Sequence, residues 1–356
     1  MSELSVTGLK KAFGDIVALD GVDLSVDKGE FFALLGPSAS GKTTTLRTIC
    51  GIERADQGTV MYQGQDVTHA EVRGRGIAMV FQTFALYPHL SIFENLAYPL
   101  RQAGVTRDEI NRRVGETAEM LRLTHTLKRK PGTASGGEQQ RIAIGRALVR
   151  DPGAFLMDEP IAALDARLRE EMRVELKRLQ REQNHTLVYV THDQEEAMSV
   201  ADRMAIFEDG RIRQIGTPTE IYNKPNSRYV AELIGSPPMN FIDGTFADGK
   251  FTAEKENVIV AIDGVSASGA ATLAIRPEDI EIRDSDQPGI DAKVYEVEPL
   301  GAFTIVDIII GEKIVKVQVT GQPDFELGSG VRLNFDPLNC HLFDGVSGDI
   351  IAHAKH

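Results

Sequence analysis

The stretch Gly36-Pro37-Ser38-Ala39-Ser40-Gly41-Lys42-Thr43 constrains this chain more than any other. It follows the apolar run Phe31-Phe32-Ala33-Leu34-Leu35, which reads as a buried strand, and it precedes a helical pattern over Lys42 to Cys50. A loop of the form G-x-x-x-x-G-K-[ST] between strand and helix turns backbone N–H groups toward a phosphate. Its Lys adds a point charge, and its Ser or Thr offers a hydroxyl to Mg²⁺. The segment therefore predicts a nucleoside triphosphate site on an α/β scaffold, with Gly36, Pro37, Ser38, Ala39, Ser40, Gly41, Lys42, Thr43 and Thr44 as its binding residues.

Other segments bring chemistry to such a scaffold. Ala154 to Met157 is a second apolar strand, and it runs into Asp158-Glu159; Leu187 to Thr191 is a third, and it runs into His192. Ligands of open α/β sheets bind at the carboxyl ends of the strands, so these side chains are expected at the phosphate edge. A carboxylate at Asp158 can hold Mg²⁺, and a neighbouring carboxylate points the other way and stays free to act on water. Ser135-Gly136-Gly137-Glu138 opens a further helix. A serine hydroxyl, glycine N–H groups and a helix N-terminus all favour an anion, although Ser135 also suits an ordinary helix cap.

Three further segments, Ser91–Gln102, Thr106–Leu123 and Gly137–Val149, read as helices with no strand of comparable strength among them, a helical insertion over about 85–152. Ala166 to Gln183 carries Leu168, Met172, Leu176 and Leu179 on one stripe and reads as a covering helix. Beyond the transition at Thr217 to Pro238, with a short helix near Tyr229 to Leu233, the pattern changes to period two. Val315, Val317 and Val319 alternate with polar neighbours, and strands also fit 258–262, 272–276, 292–297, 303–310 and 331–335. Many short strands separated by turns predict a small β-barrel. The expected division is a nucleotide-binding domain over 1–235 and a β domain over 236–356.

The bulk properties exclude several function classes. With 39 Lys and Arg against 52 Asp and Glu, the net charge is −13 and no basic run is present, which argues against a nucleic-acid partner. Cys50 and Cys340 are the only cysteines, and their spacing suits neither a disulfide framework nor a zinc site. The N-terminal residues contain no apolar signal core, and the best apolar run, Ile305 to Ile310, is broken by Asp307. A membrane role thus needs a partner that spans.

The phosphate loop, the Ser135-Gly136-Gly137-Glu138-Gln139 element and Phe155-Leu156-Met157-Asp158-Glu159, in this order, resemble the ATPase subunit of an ABC transporter. The resemblance runs over nearly the whole chain. It implies a P-loop ATPase domain with a helical subdomain and a C-terminal OB-type barrel, with ATP and Mg²⁺ as cofactors. It also implies roles: Glu159 as the base that activates water, Gln82 as a contact to Mg²⁺ or that water, and His192 as a contact to the γ-phosphate. Phe13 would stack on adenine, Thr43, Gln82 and Asp158 would serve the metal, and Asp165 would match the loop after Glu159. Ser135, Gly136, Gly137 and Glu138 would touch ATP held by a second ATPase subunit.

Departures from the family pattern are Ala39 for glycine, Ala134 for leucine, Glu138 where glutamine is common, and Ala162 for serine. A homodimer is favoured, and a heterodimer stays open. Gly235 to Phe241, Ile275-Arg276-Pro277-Glu278 and Val297 to Gly301 resemble the regulatory barrel of bacterial carbohydrate importers. That implies two transmembrane permease subunits, an extracytoplasmic solute-binding protein and a peripheral place on the cytoplasmic face of the inner membrane. Phe81 to Asn95 is similar to the region that receives a helix of the membrane subunit. A polyamine or iron importer and, from a different class, a nucleic-acid-associated ABC protein remain as alternatives.

Overall fold

The computed structural model describes residues 2–150, 152–162 and 164–354. Asp151, near the end of the expected helical insertion, and Ala163, in the loop after Glu159, lie outside the described residues. Contacts divide the chain into two compact units, residues 1–218 and 219–356.

The first unit is built on two sheets. β1 (Ser2–Phe13) and β2 (Ile16–Asp27) form a long antiparallel hairpin, and β4 (Gln57–Tyr62) and β5 (Gln65–Asp66) extend it on the β1 side. The second sheet has the spatial order β10-β9-β3-β8-β7-β6, made of β3 (Phe31–Leu35), β6 (Ile77–Val80), β7 (Ala154–Asp158), β8 (Thr186–Thr191), β9 (Arg203–Glu208) and β10 (Arg211–Gly216). Its strands are parallel except for β10, which returns antiparallel on β9. β3, β7 and β8 are buried along their whole length, as strands covered on both faces must be.

Side-chain alternation divides that sheet's two faces between two cores. Phe32, Leu34, Leu156, Val188 and Val190 pack with the β1–β2 hairpin and with helix α1 (Lys42–Cys50). Phe31, Phe155, Met157, Leu187 and Tyr189 pack with α2 (Ile92–Gln102), α3 (Arg107–Met120), α4 (Gly136–Leu148) and α5 (Ala166–Gln183). The helices between β6 and β7 are the expected insertion. The second expected segment, Thr106–Leu123, stops three residues early, at Met120, where Arg122 takes a left-handed backbone (φ 55°) and turns the chain. In α5, Met172, Leu176 and Leu179 are buried as the stripe predicts. A short helix, α6 (Gln194–Val200), follows β8.

The second unit begins with α7 (Pro218–Asn223) at the division and α8 (Arg228–Leu233). Two antiparallel sheets follow. One has the order Val258–Ala261, Lys250–Ala253, Asn240–Ala247, Gly269–Ile275, Cys340–Asp344, Ile350–Ala352; the other runs Ile280–Arg283, Gly330–Phe335, Ile290–Pro299, Phe303–Ile310, Lys313–Thr320. Residues of both sheets, among them Ile242, Leu273, Val306, Val317 and Leu342, fill one core. The division at 218 lies upstream of the expected 235, because α8 packs on β residues: Ala231 joins Met239, Phe241, Ala274 and Phe343 in a small cluster. Among the described residues, no helix is long and apolar enough to cross a membrane.

Candidate functional site

The parallel strands β3, β7 and β8 are hydrogen-bonded neighbours, so their C-terminal ends gather the phosphate loop, Asp158-Glu159 and His192 on one edge. Gly41 caps α1 with a left-handed backbone (φ 103°), and a Cβ there would lie 2.6 Å from the Ala18 carbonyl oxygen. Only glycine fits that corner. Ala39 is also left-handed (φ 63°), so the departure from glycine at this position carries backbone strain of about 1 kcal/mol. Lys42 is buried and its Nζ donates to the carbonyls of Gly36 (2.9 Å) and Pro37 (2.7 Å) and to Ser40 Oγ (3.3 Å). Burial pulls the Lys42 ammonium below its ordinary range, against the pull of the Glu159 and Asp158 carboxylates.

Asp158 is only 5% exposed and accepts a hydrogen bond from Thr43 Oγ1 at 2.9 Å. Burial pushes its carboxyl above the usual carboxylate range, and the Thr43 bond opposes that rise. Glu159 leaves the strand through a left-handed backbone (φ 45°), which sends its side chain away from Asp158's position. One oxygen, Glu159 Oε2, accepts from Gln82 Nε2 at 3.2 Å and lies 3.3 Å from His192 Nδ1. Three residues far apart in sequence thus meet at one carboxylate. Hard oxygen ligands at Thr43 and Asp158 beside a loop of small residues fit a Mg²⁺–triphosphate, since Mg²⁺ takes one or two protein oxygens and completes its shell from phosphate and water.

Phe13 is 47% exposed, which rules out a core role, and Lys11 Nζ sits 5.1 Å from its ring centroid. Ile16 and Val17, which sequence reasoning missed, are also exposed and extend the apolar strip across the β1–β2 turn. Two consecutive apolar residues just after Gly14-Asp15 were the available signal.

The Ser135 turn is held by its own contacts. Ser135 N donates to Glu138 Oε2 (2.7 Å) and Glu138 N donates to Ser135 Oγ (3.3 Å), a capping box that opens α4. Glu138 also faces His125 and Arg129. None of these partners belongs to the phosphate loop. Gly136 lies beside Leu164, and a Cβ on Gly137 would meet Leu168 Cδ2 at 2.4 Å, so the glycine pair also lets α4 approach the start of α5. Asp165 is the N-cap of α5, its Oδ1 accepting from Leu168 N at 2.9 Å. Gln140, fully buried and also missed, donates to the Pro160 carbonyl and so joins α4 to the loop after Glu159. No sequence signal distinguishes it from its neighbour Gln139.

A cleft of about 470 Å³ opens beside these elements, lined by Phe81, Tyr87, Tyr98, Arg73, Arg146 and Arg150 among others. Arg146 donates to the carbonyls of Ala85 (2.6 Å) and Phe84 (3.0 Å) and stacks on Tyr87. Asn95 is buried and spends its amide on Tyr87, Leu90 and Ser91, so it shapes the loop and does not face the cleft.

Comparison with known proteins gives matches over the whole chain. Residues 19–162 match the ABC transporter family model, residues 235–280 the MalK OB fold domain and residues 273–343 the TOBE domain. The xylose/arabinose import ATP-binding protein XacK of Haloferax volcanii is 43% identical, over 100% of this chain and 97% of that protein. The sn-glycerol-3-phosphate import ATP-binding protein UgpC 3 of Rhizobium johnstonii is also 43% identical, over 98% of this chain and 99% of the relative. A solved ATP-binding cassette, a dimer in a post-hydrolysis state with ADP and Pi, superposes with a TM-score of 0.55 at 32% identity, over 60% of this chain and 98% of its own.

Proposed function

The chain belongs to the ABC transporter family, and from that premise we propose that it is the ATP-hydrolysing subunit that energises import of a sugar or sugar-like solute, polyols and glycerol phosphates included. The sugar class is supported by relatives named for xylose, arabinose and glycerol-3-phosphate import that align from end to end, and by the match to the MalK OB fold domain. It works as a dimer of ATPase subunits on a membrane permease complex. We further assign it two permease subunits, an extracytoplasmic solute-binding protein and a peripheral position on the cytoplasmic face of the membrane.

The observation that carries the mechanism is the meeting of Gln82 and His192 at one oxygen of Glu159, next to a loop whose Thr43 is bonded to Asp158. The phosphate loop binds the β- and γ-phosphates through its N–H groups and Lys42. Thr43, Asp158 and Gln82 would hold Mg²⁺, which when bound offsets charge on the phosphate oxygens. Glu159 orients the attacking water and takes its proton; Gln82 and His192 hold that carboxylate in place, and His192 also faces the γ-phosphate. Phe13, with Ile16 and Val17, offers an apolar face to adenine. Ser135, Gly136, Gly137, Glu138 and Asp165 form the surface for the ATP held by the facing subunit. ATP then joins two subunits, and hydrolysis removes the group both of them hold. The cleft bearing Phe81 and Arg146 suits the helix of the permease that senses this cycle.

Glu159→Gln is expected to lower ATP turnover in the assembled transporter by about 10²-fold or more while ATP-driven dimer closure persists, because it removes the base and keeps the shape. Steady-state phosphate release and nucleotide-dependent dimer formation measure the two halves. Unchanged turnover in that variant would remove Glu159 from the role of base.

A further inference from the structure

Behind the His192 turn lies a carboxylate to which the reaction above gives no part. Glu196, 3% exposed, sits in the first turn of α6, whose N-cap Asp193 accepts from the N–H groups of Glu195 (2.8 Å) and Glu196 (3.2 Å). A glutamate three residues after a cap ordinarily reaches back to the cap's own N–H. Glu196 instead turns inward, and its Oε2 accepts from Thr191 Oγ1 (2.8 Å) and Tyr189 OH (3.0 Å), both on β8. The Asp193 N–H goes to Thr191 Oγ1 at 3.0 Å. Thr191 Oγ1 therefore donates to Glu196 and accepts from Asp193, forming a relay that spans the peptide units on both sides of His192. Burial raises the Glu196 carboxyl above its ordinary range and the Thr191 and Tyr189 bonds oppose this. A carboxylate buried without such partners would be costly, so the relay has a defined geometry.

Arg169, from the first turn of α5, extends the network. Its Nη2 donates to the Leu164 carbonyl (3.3 Å), its Nη1 lies 3.5 Å from Asp193 Oδ2, and its Nε faces Glu196 Oε1 at 3.8 Å. One guanidinium thus touches both the far end of the loop that begins at Glu159 and the turn that carries His192. The near end of that loop is pinned as well, since Glu159 N donates to the Val190 carbonyl at 3.0 Å.

We infer that Glu196 and Arg169 are positioning residues for hydrolysis: Glu196, through Thr191, sets the backbone that presents His192, and Arg169 locks that turn to the loop carrying Glu159. The inference rests on the reading of Glu159 and His192 as the hydrolytic pair. The partners described for Glu196 and Arg169 lie outside the phosphate loop, so removing one is expected to leave nucleotide binding intact and to loosen the 3.3 Å approach of His192 to Glu159.

The test uses the full chain in its transporter complex and measures kcat and KM for ATP. Glu196→Ala is expected to lower kcat about tenfold with KM changed less than about twofold, and Glu196→Gln, which keeps an acceptor for Thr191, to recover most of that loss. In a His192→Ala background, Glu196→Ala should cost no further activity, because the residue it positions is gone. Should Glu196→Ala fail to fold, Thr191→Val in the same two backgrounds decides, since it cuts the relay and keeps a β-branched side chain in β8. Effects that multiply with His192→Ala, or a kcat within twofold of the parent for the decisive variant, overturn the inference. If His192→Ala itself hydrolyses ATP at the parental rate, the underlying reading of the site fails instead.

Discussion

Asp158 is a carboxylate whose burial disfavours its charge by more than its partners favour it. Its burial is the largest influence on its titration and raises the folded-state pKa, with Thr43, Arg47 and Lys42 pulling the other way. A carboxyl whose pKa is higher folded than unfolded contributes stability below its unfolded value, about pH 4, and that contribution is lost as pH rises through the folded value. Asp158→Asn removes the charge and keeps an acceptor for Thr43. The nucleotide-free variant is therefore expected to melt higher than the parent at pH 7, with the gap narrowing as pH falls toward 4, while ATP hydrolysis is lost. A lower melting temperature at pH 7 would show that the ionised carboxylate is structurally useful after all. This site was legible in the sequence because strand, acid pair and phosphate loop are each local patterns. Glu196, Arg169 and Gln140 were not, since each is an ordinary helical polar residue until the fold supplies Thr191, Leu164 and Pro160 as partners.

At the scale of elements, α1 is fastened at both ends. Its N-terminus carries the phosphate loop, and its C-terminus is gripped by Arg75, which is 3% exposed and donates to the carbonyls of Thr48 (2.8 Å), Ile49 (2.6 Å), Thr68 (2.9 Å) and Ala70 (3.1 Å). A cation at a helix C-terminus satisfies orphan carbonyls and the helix dipole together. Arg75→Met keeps the length and deletes the donors, and is expected to lower unfolding free energy by about 2–4 kcal/mol in urea titrations. Arg75→Lys should recover less than half, because one ammonium cannot reach four carbonyls spread around a planar fork. A loss under about 1 kcal/mol for the methionine variant would count against the grip. The elements themselves were unevenly legible. β3, β7 and β8 stand out as continuous apolar runs and the five long helices as helical patterns, whereas β1 and β2 went unread because bulges between Val6 and Leu9 and between Lys11 and Ala12 break the period-two alternation. β9 and β10 were missed despite a run of buried residues, Met204 to Phe207, that ends at the turn residues Asp209-Gly210.

For the whole molecule, the placement of the unit boundary has an energetic meaning within the second unit. The period change in the sequence put the β domain's start at 236, after α7 and α8, since those helices carry no β pattern. Arg276 is why they belong to it: 2% exposed, it donates to the carbonyls of Ile234 and, at 2.7 Å, Tyr222, and its guanidinium lies 3.9 Å from the centre of the Tyr222 ring. Tyr222 OH in turn donates to Glu278. Ala231 fills the cluster around Phe241 and Phe343. A fragment of residues 219–356 keeps every one of these partners, and one of residues 236–356 loses both carbonyl acceptors of Arg276, the Tyr222 ring over it and Ala231 from its cluster, a loss of roughly 2–4 kcal/mol. The longer fragment is expected to unfold cooperatively in urea with native-like β signal. The shorter one should show a midpoint lower by an amount matching that loss, or no cooperative transition. Replacing Arg276 by Met in the longer fragment should lower its midpoint toward that of the shorter one, because it deletes the donors that hold Ile234 and Tyr222; equal midpoints for the two fragments would place the working boundary at 235 after all.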